Sequence, residues 1–392
     1  MRVAMVATAW EAESDDRNRH IAELSGALSG QGHDVTLYRR RTSPSGQGTT
    51  EVDGYRVVRV PAGPHAPLSK ADLLGHLDEF GAFLEDEWRD RRPDVVHLHS
   101  WTSGLAVADG RGVPLVQSFH GLGVVEQRFR KTAAPGRATI ERLVGAAAYR
   151  VLAGSAEEVF DLIRMGVHRS RVSLVPRGVD TRLFQPDGPA MRGGARHRLL
   201  ALGDVAPHSG FETAISVLPR LPGAELVIAG PIRHTDPRRD PEVERLVLHA
   251  RGLGVADRVT FTGRVDHVRK PALLRSADVV VCPSWYEPSG SAALEAMACG
   301  VPVVASAVGA FKDVVVDDVT GVLVPPRDPR ALLVVLRGLL ADGTRREMYS
   351  IAGADRVHAR YDWDRVAAEV VDAYDRAPAV RSPARGTSAR GR

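Results

Sequence analysis

The stretch ADVVVCPSWYEPSGSAALEAMACGVPVVAS (277–306) decides how the rest of the chain is read. It opens with a Val-rich apolar run too short for a helix, which reads as a strand covered on both faces, as in a parallel sheet. After Gly290, SAALEAMAC is built of strong helix formers, and Gly300 with Pro302 supplies a stop. Glu287 therefore falls on the loop at the carboxyl end of a strand, and Glu295 within the following helix. In open α/β sheets ligands bind at that edge. Spacing alone leaves a plainer reading open: Glu295 as a solvated helix residue and Glu287 as a first-turn carboxylate near the helix dipole.

Working outward, strands and helices alternate along the whole chain. VAMVA (3–7) precedes a helix around 20–28, closed by Gly30 and Gly32, and then DVTLY (34–38). A hairpin-like VDGYRVVRV (52–60) is followed by one amphipathic helix over 70–89. DVVHLH (94–99), PLVQSFH (114–120), a helix over 139–149, VLAGS (151–155) and VSLVP (172–176) complete a first βα series. Periodicity gives way to Pro, Gly and Arg around DTRLFQPDGPAMRGGARHR (180–198), then restarts with LLALG, ELVIAG, RVTFTG, DVVVCP and VPVVAS. This pattern predicts an α/β protein of two doubly wound, Rossmann-like domains facing a cleft. We place the domains at 1–186 and 187–360, with a helix over 361–376 that crosses back toward the first domain.

At 392 residues the chain fits two such domains. The formal charge of +4 comes from the last segment, APAVRSPARGTSARGR (377–392), which has four Arg and no acid; without it the body is neutral. A neutral body is not the footprint of a nucleic-acid binder. The tail lacks an apolar stripe and is expected to be disordered. Cys282 and Cys299 have neither disulfide-framework nor metal-site spacing. His97 and His99 alternate on a strand and point the same way, but no third ligand is spaced to join them, so no metal site is expected. MRVAMVATAW reads as a strand rather than a secretory signal, and no apolar run approaches the ~20 residues needed to span a bilayer. A cytoplasmic location is the expectation.

Taken together, EPSGSAALEAMACGVPVVAS closely resembles the signature of the retaining GT-B glycosyltransferases of glycosyltransferase family 4. QGHDVTLY, HLHSWTSGLA, VPLVQSFHGL, LVPRGVDTRLFQP, AELVIAGP, VTFTGRV and DVTGVLVPPRDP follow in that family's order and spacing, so the resemblance covers nearly the whole chain. It implies a nucleotide-diphosphate sugar as donor substrate, no cofactor and no metal, and a small-molecule, glycan or lipid acceptor. By resemblance, Glu295 holds the ribose hydroxyls and Glu287 lies by the transferred sugar. The N–H groups of Ser291, Ala292 and Ala293 face the diphosphate at a helix start, with Gly290 letting the backbone approach. Gly263, Arg264 and Val265 meet the base through backbone groups, and Gly203 opens the second domain's first loop. His120 matches the active-site histidine beside the reacting sugar; in isolation the favoured reading is a core or capping residue, and the series of matching motifs turns it toward the site.

The pattern breaks at the phosphate clamp. The family's Arg and Lys after the first strand of the second domain fall here on Asp204 and Ser209, in LGDVAPHSGFETAI. The family's first-loop Gly-Gly falls on Asp15 and Asp16, and GAFKD (309–313) replaces Gly-Gly-x-x-Glu. An electrostatic donor to a developing charge is worth ~3–4 kcal/mol. Arg177, in PRGVD, is the candidate substitute cation and reads otherwise as an exposed loop residue; His208 is new beside Ser209. Two functions stay open on the sequence: a working transferase, or a degenerate relative serving as a nucleotide- or partner-binding scaffold. The segment 127–150, with six basic residues and one acid, could meet an acidic acceptor or a membrane surface, but the favoured reading is a solvated face packed by its Leu, Val and Ala side.

Overall fold

The computed structural model describes residues 1–9, 16–43, 48–107, 112–129, 133–191, 194–232 and 239–376. Asp15 and the 377–392 tail lie outside the described residues. The first sheet takes β1 (Arg2–Ala7), β2 (Asp34–Arg40), β3 (Thr49–Val52), β4 (Tyr55–Val60), β5 (Val95–His99), β6 (Leu115–Ser118), β7 (Arg150–Ala153) and β8 (Val172–Leu174), in the order β3-β4-β2-β1-β5-β6-β7-β8. Every pairing is parallel except the β3–β4 hairpin, which turns at Asp53 and Gly54. The second sheet takes β9 (His197–Leu202), β10 (Ala224–Ala229), β11 (Val259–Gly263), β12 (Val279–Cys282), β13 (Val303–Ser306) and β14 (Gly321–Val324), all parallel, in the order β11-β10-β9-β12-β13-β14.

The side-chain period of two explains why these runs are apolar throughout. In β1, Val3 and Met5 enter the core on one face of the first sheet, while Ala4 and Val6 enter the core on the other. In β12, Val279 and Val281 face one core and Val280 and Cys282 the opposite one. Burial pushes the Cys282 thiol well up and the Cys299 thiol to about 12, so both sulfurs behave as small apolar groups.

In each sheet the winding reverses at the central strand, between β1 and β5 in the first and between β9 and β12 in the second. Side chains from both reversal points line shared cavities, which is where such sheets hold ligands. The helix Trp363–Asp375 packs Val366, Val370 and Tyr374 into the first sheet's core, beside Val3 and Met5. Among the described residues no helix is long and apolar enough to cross a membrane.

One expectation is corrected. The single helix over 70–89 is two, Lys70–Leu74 and Leu77–Asp90. Gly75 caps the first by donating to the Asp72 and Leu73 carbonyls, and His76 then anchors to Glu79 at 3.1 Å. A glycine inside an otherwise apolar-periodic run costs helix stability, and here a local cap replaces the continuous ladder.

Candidate active site

The buried β12 delivers the loop 283–290 to the mouth of the second sheet. The Glu287 carboxylate accepts from the Ser289 N–H at 3.1 Å, the Ser289 hydroxyl at 2.9 Å and the Gly290 N–H at 2.9 Å. It thereby folds its own loop against the start of the helix Ser291–Ala298. Gly290 has φ 70°, and a Cβ there would come within 3.0 Å of Val314 and 3.3 Å of Ala310, so both conformation and space require glycine. The N–H groups of Ala292 and Ala293 lie in the first turn, outside the intrahelical ladder.

Glu295, one turn further on, is buried to 7% exposure, and Lys270 donates to its two oxygens at 2.8 and 2.9 Å. Glu287, Ser291, Ala292 and Glu295 line one cavity with Gly203, Arg264 and Val265. Ala293 is buried beside it, and Gly263 closes β11 just before Arg264.

The loop after β9 reaches the same cavity with Asp204, His208 and Ser209. The Ser209 hydroxyl donates to the Asp204 carbonyl at 2.5 Å, and the Trp285 N–H donates to the His208 carbonyl at 2.8 Å. The cations lining the cavity are Arg19, Arg264 and Lys270. Arg177 instead lines the neighbouring cavity that holds His120, and its guanidinium donates to the Asp16 carbonyl. The Asp16 carboxylate reaches across the cleft to within 3.4 Å of the Ser291 hydroxyl and pairs with Arg19 at 3.1 Å. Partial burial works to raise Asp16, but Arg177, Lys270, Arg19 and His267 outweigh it and hold the carboxyl below its ordinary value.

On the facing domain, β6 ends at Ser118 and the chain runs on to His120, two residues beyond, at φ 55°. His120 Nε2 lies 2.9 Å from His99 Nδ1, with the rings stacked at 5.2 Å, and His20 stands edge-on to His120 at 5.2 Å. His97 bonds the Tyr374 hydroxyl at 2.7 Å and the Ser118 hydroxyl at 2.9 Å. Burial lowers all four histidines, His97 to about 3, so they are neutral imidazoles. His99 bonds His120 and His97 bonds two hydroxyls, while His20 Nδ1 and His99 Nε2 are buried without a partner. Among the described residues no three His, Cys, Asp or Glu side chains form a metal-holding group.

His120 shares its cavity with Arg17, His20, Glu158 and Arg177 of the first domain and with Pro288 and Ser289 of the second. The donor-side and His120-side cavities adjoin at Asp16, Pro288 and Ser289. Glu158 stands on the helix Ala156–Arg164, whose cap Ser155 accepts from the Glu158 N–H at 3.1 Å. One Glu158 oxygen accepts from the Gly154 N–H at 2.8 Å and the other is buried without a partner. Burial pushes this carboxyl up to about 7 against the pull of that N–H.

The basic segment turns partly inward. Arg137 donates to Glu141 at 2.6 Å, to Glu126, and to the Gly121 carbonyl at 2.6 Å, so it braces the loop behind His120. Arg150 donates to the Ser170 carbonyl at 3.0 Å and Arg128 pairs with Asp161 at 3.7 Å, while Arg142 is exposed. Arg130 and Lys131 lie outside the described residues.

Lys270, Arg19, His20 and Glu158 escaped the sequence reading. A Ser-x-x-Glu capping pattern marks Glu158, and Lys270 is one of four lysines in a chain that otherwise uses arginine. No local pattern marks Arg19 or His20.

Residues 18–178 match the family described as "Glycosyl transferase 4-like domain", and residues 194–356 match "Glycosyl transferases group 1". A D-inositol 3-phosphate glycosyltransferase of Xylanimonas cellulosilytica is 38% identical over 94% of this chain and 93% of its own. A glycogen synthase of Mycobacterium tuberculosis is 31% identical over 98% of both chains. Among solved structures, the sucrose-phosphate synthase of Thermosynechococcus elongatus superposes with a TM-score of 0.84 at 28% identity, covering 95% of this chain and 98% of that one. With two parallel sheets meeting at their winding reversals and likeness of this extent along both halves, the chain belongs to the GT-B glycosyltransferases of the family 4 type.

Proposed function

We propose that the protein transfers a sugar, with retention of configuration, from a nucleotide-diphosphate donor to an acceptor hydroxyl. Glu295 takes the ribose diol, the first turn of Ser291–Ala298 takes the diphosphate, and Arg264 and Val265 border the base. Glu287 and His120 flank the transferred sugar. The observation that carries this assignment is that Glu287, Ser291, Ala292 and Glu295 line one cavity, which adjoins the cavity of His120.

Retention follows when the acceptor hydroxyl attacks on the leaving-group face and the departing phosphate takes its proton. The protein then positions the reactants and stabilises charge on the diphosphate. A neutral His120, held by His99, accepts or donates a hydrogen bond at the sugar without adding charge. The relatives are named for acceptors as unlike as an inositol phosphate and glycogen, so the donor half of the cleft is the specific part of this proposal. No metal is required by these steps.

Titration calorimetry with UDP, ADP and GDP, followed by NMR of the anomeric configuration of the product, tests it. Binding of a nucleoside diphosphate that weakens in Glu295→Ala is expected, with a product anomer matching the donor. Wild-type protein that binds none of the three, or an inverted product, overturns it.

A further inference from the structure

The donor cavity has a carboxylate where phosphate recognition calls for a cation: Asp204 and Ser209 supply no positive charge from the loop after β9. Arg177, the cation singled out by sequence, lines the other cavity. Lys270 is placed differently. Its ammonium sits on both oxygens of Glu295, at 2.8 and 2.9 Å, with the lysine side chain 15% exposed and the glutamate 9%.

Side chains on a helix lean toward its N-terminus. The Glu295 carboxylate, and Lys270 upon it, therefore lie back along the helix toward Ser291, where the first-turn N–H groups are. The electrostatics agree, since Asp16, 3.4 Å from the Ser291 hydroxyl, is held ionised partly by Lys270. An anionic group at that helix start thus already feels the Lys270 charge.

A ribose diol and Lys270 also compete for the same acceptors. Two hydroxyls donating to Glu295 need the lone pairs that the ammonium now uses. Lysine suits such an exchange, being a point charge with three donors on a flexible four-carbon stem.

We propose that Lys270 is the diphosphate-binding cation of this site, released from Glu295 by the ribose and turned toward the phosphates of the same donor. This inference rests on the donor assignment above and deepens it. It makes ribose recognition and phosphate neutralisation two halves of one event, with Lys270 in the role that the loop after β9 leaves unfilled.

The test compares nucleosides with their diphosphates. Calorimetry is run with UDP, ADP and GDP and with uridine, adenosine and guanosine, on wild type, Lys270→Met and Lys270→Arg. Lys270→Met is expected to weaken the preferred diphosphate by roughly 10- to 100-fold, as for a lost charged hydrogen bond. Its parent nucleoside is expected to bind as well or better, because Glu295 is relieved of a competitor. Lys270→Arg should keep the preference for diphosphate over nucleoside, which separates lost charge from a damaged fold. Equal weakening of nucleoside and diphosphate by Lys270→Met overturns the inference, since Lys270 would then only buttress Glu295. No change in either overturns it too. A wild type that binds no diphosphate removes the donor assignment itself, a result distinct from both.

Discussion

Burial pushes the Glu158 carboxyl up to about 7, with Asp161 and Glu141 adding to the effect and the Gly154 N–H opposing it. From about pH 4.5, where an exposed glutamate ionises, up to pH 7 the unfolded chain releases a proton that the folded one keeps. Stability from this group is therefore lost as pH rises through that window and is level above it. Glu158→Gln should cancel the loss and raise stability at pH 8 by up to about 3 kcal/mol. Urea unfolding at pH 5 and pH 8 measures it, and an unchanged difference between the two pH values would count against an orphaned carboxyl. The histidines act in the opposite sense. His97 drops to about 3 through burial, and His20, His99 and His120 are lowered by burial and then by neighbouring positive charge. Below their ordinary value the unfolded chain takes up protons that the folded chain refuses, so stability falls with pH at about 1.4 kcal/mol per pH unit for each histidine. Acid unfolding between pH 6 and 4 should accordingly be steep. His97→Gln should flatten it by about one proton; an unaltered slope would show that His97 titrates normally in the folded protein.

The loop after β9 shows how tightly one element is fitted to another. Gly210 has φ 68°, and a Cβ on it would lie 2.1 Å from the Pro283 carbonyl at the end of β12. Gly210→Ala should force the loop off β12, costing on the order of 2–4 kcal/mol through strain and collision together. It should also weaken nucleotide binding, because Asp204, His208 and Ser209 move with the loop. A thermal melt matching the wild type would refute the fit. Much at this scale is legible in the sequence, because strands buried on both faces leave Val-rich runs such as VVVC and VAMV, and the Gly290 turn announces itself beside a helix-forming segment. What escapes is whatever depends on residues far apart in the chain. The pairing of Lys270 with Glu295 spans 25 positions and that of His97 with Tyr374 spans 277, and neither leaves a periodic trace. His97 and His99 suggest an incomplete metal pair when read along one strand. Only the fold supplies His120, which bonds and stacks on His99, and His20, which stands edge-on to both. The helix break at Gly75 is missed for the converse reason, that a local cap there overrides an apolar periodicity that continues on both sides.

Across the whole molecule the two domains hold each other by reciprocal contacts. Asp313 of the second domain accepts from the Ala156 N–H at 2.7 Å, at the start of a first-domain helix. Glu157 of the first domain takes the Gly309 N–H at 3.0 Å and Lys312 at 3.1 Å. GAFKD, a departure from the family pattern in sequence, is thus the segment that clasps the other half. Asp313→Ala removes a charged cap, typically worth about 1–2 kcal/mol. It should slow sugar transfer several-fold while leaving nucleoside diphosphate affinity within error, since the donor residues sit mostly on one domain. Parallel loss of affinity would place Asp313 in binding rather than in closure. The helix Trp363–Asp375 makes the other connection, completing the first core with Val366, Val370 and Tyr374. Its consequence concerns time. A ribosome releases this helix roughly 210 residues after β7, the last strand of the core it completes, so the nascent first half must wait, with Val3 and Met5 lacking their cover. The second half, whose strands are contiguous in the chain, is free to fold during that wait. Newly made protein should pass through a stage in which the later domain is protease-resistant and the earlier one is not, and stalling translation just before Trp363 should trap it there.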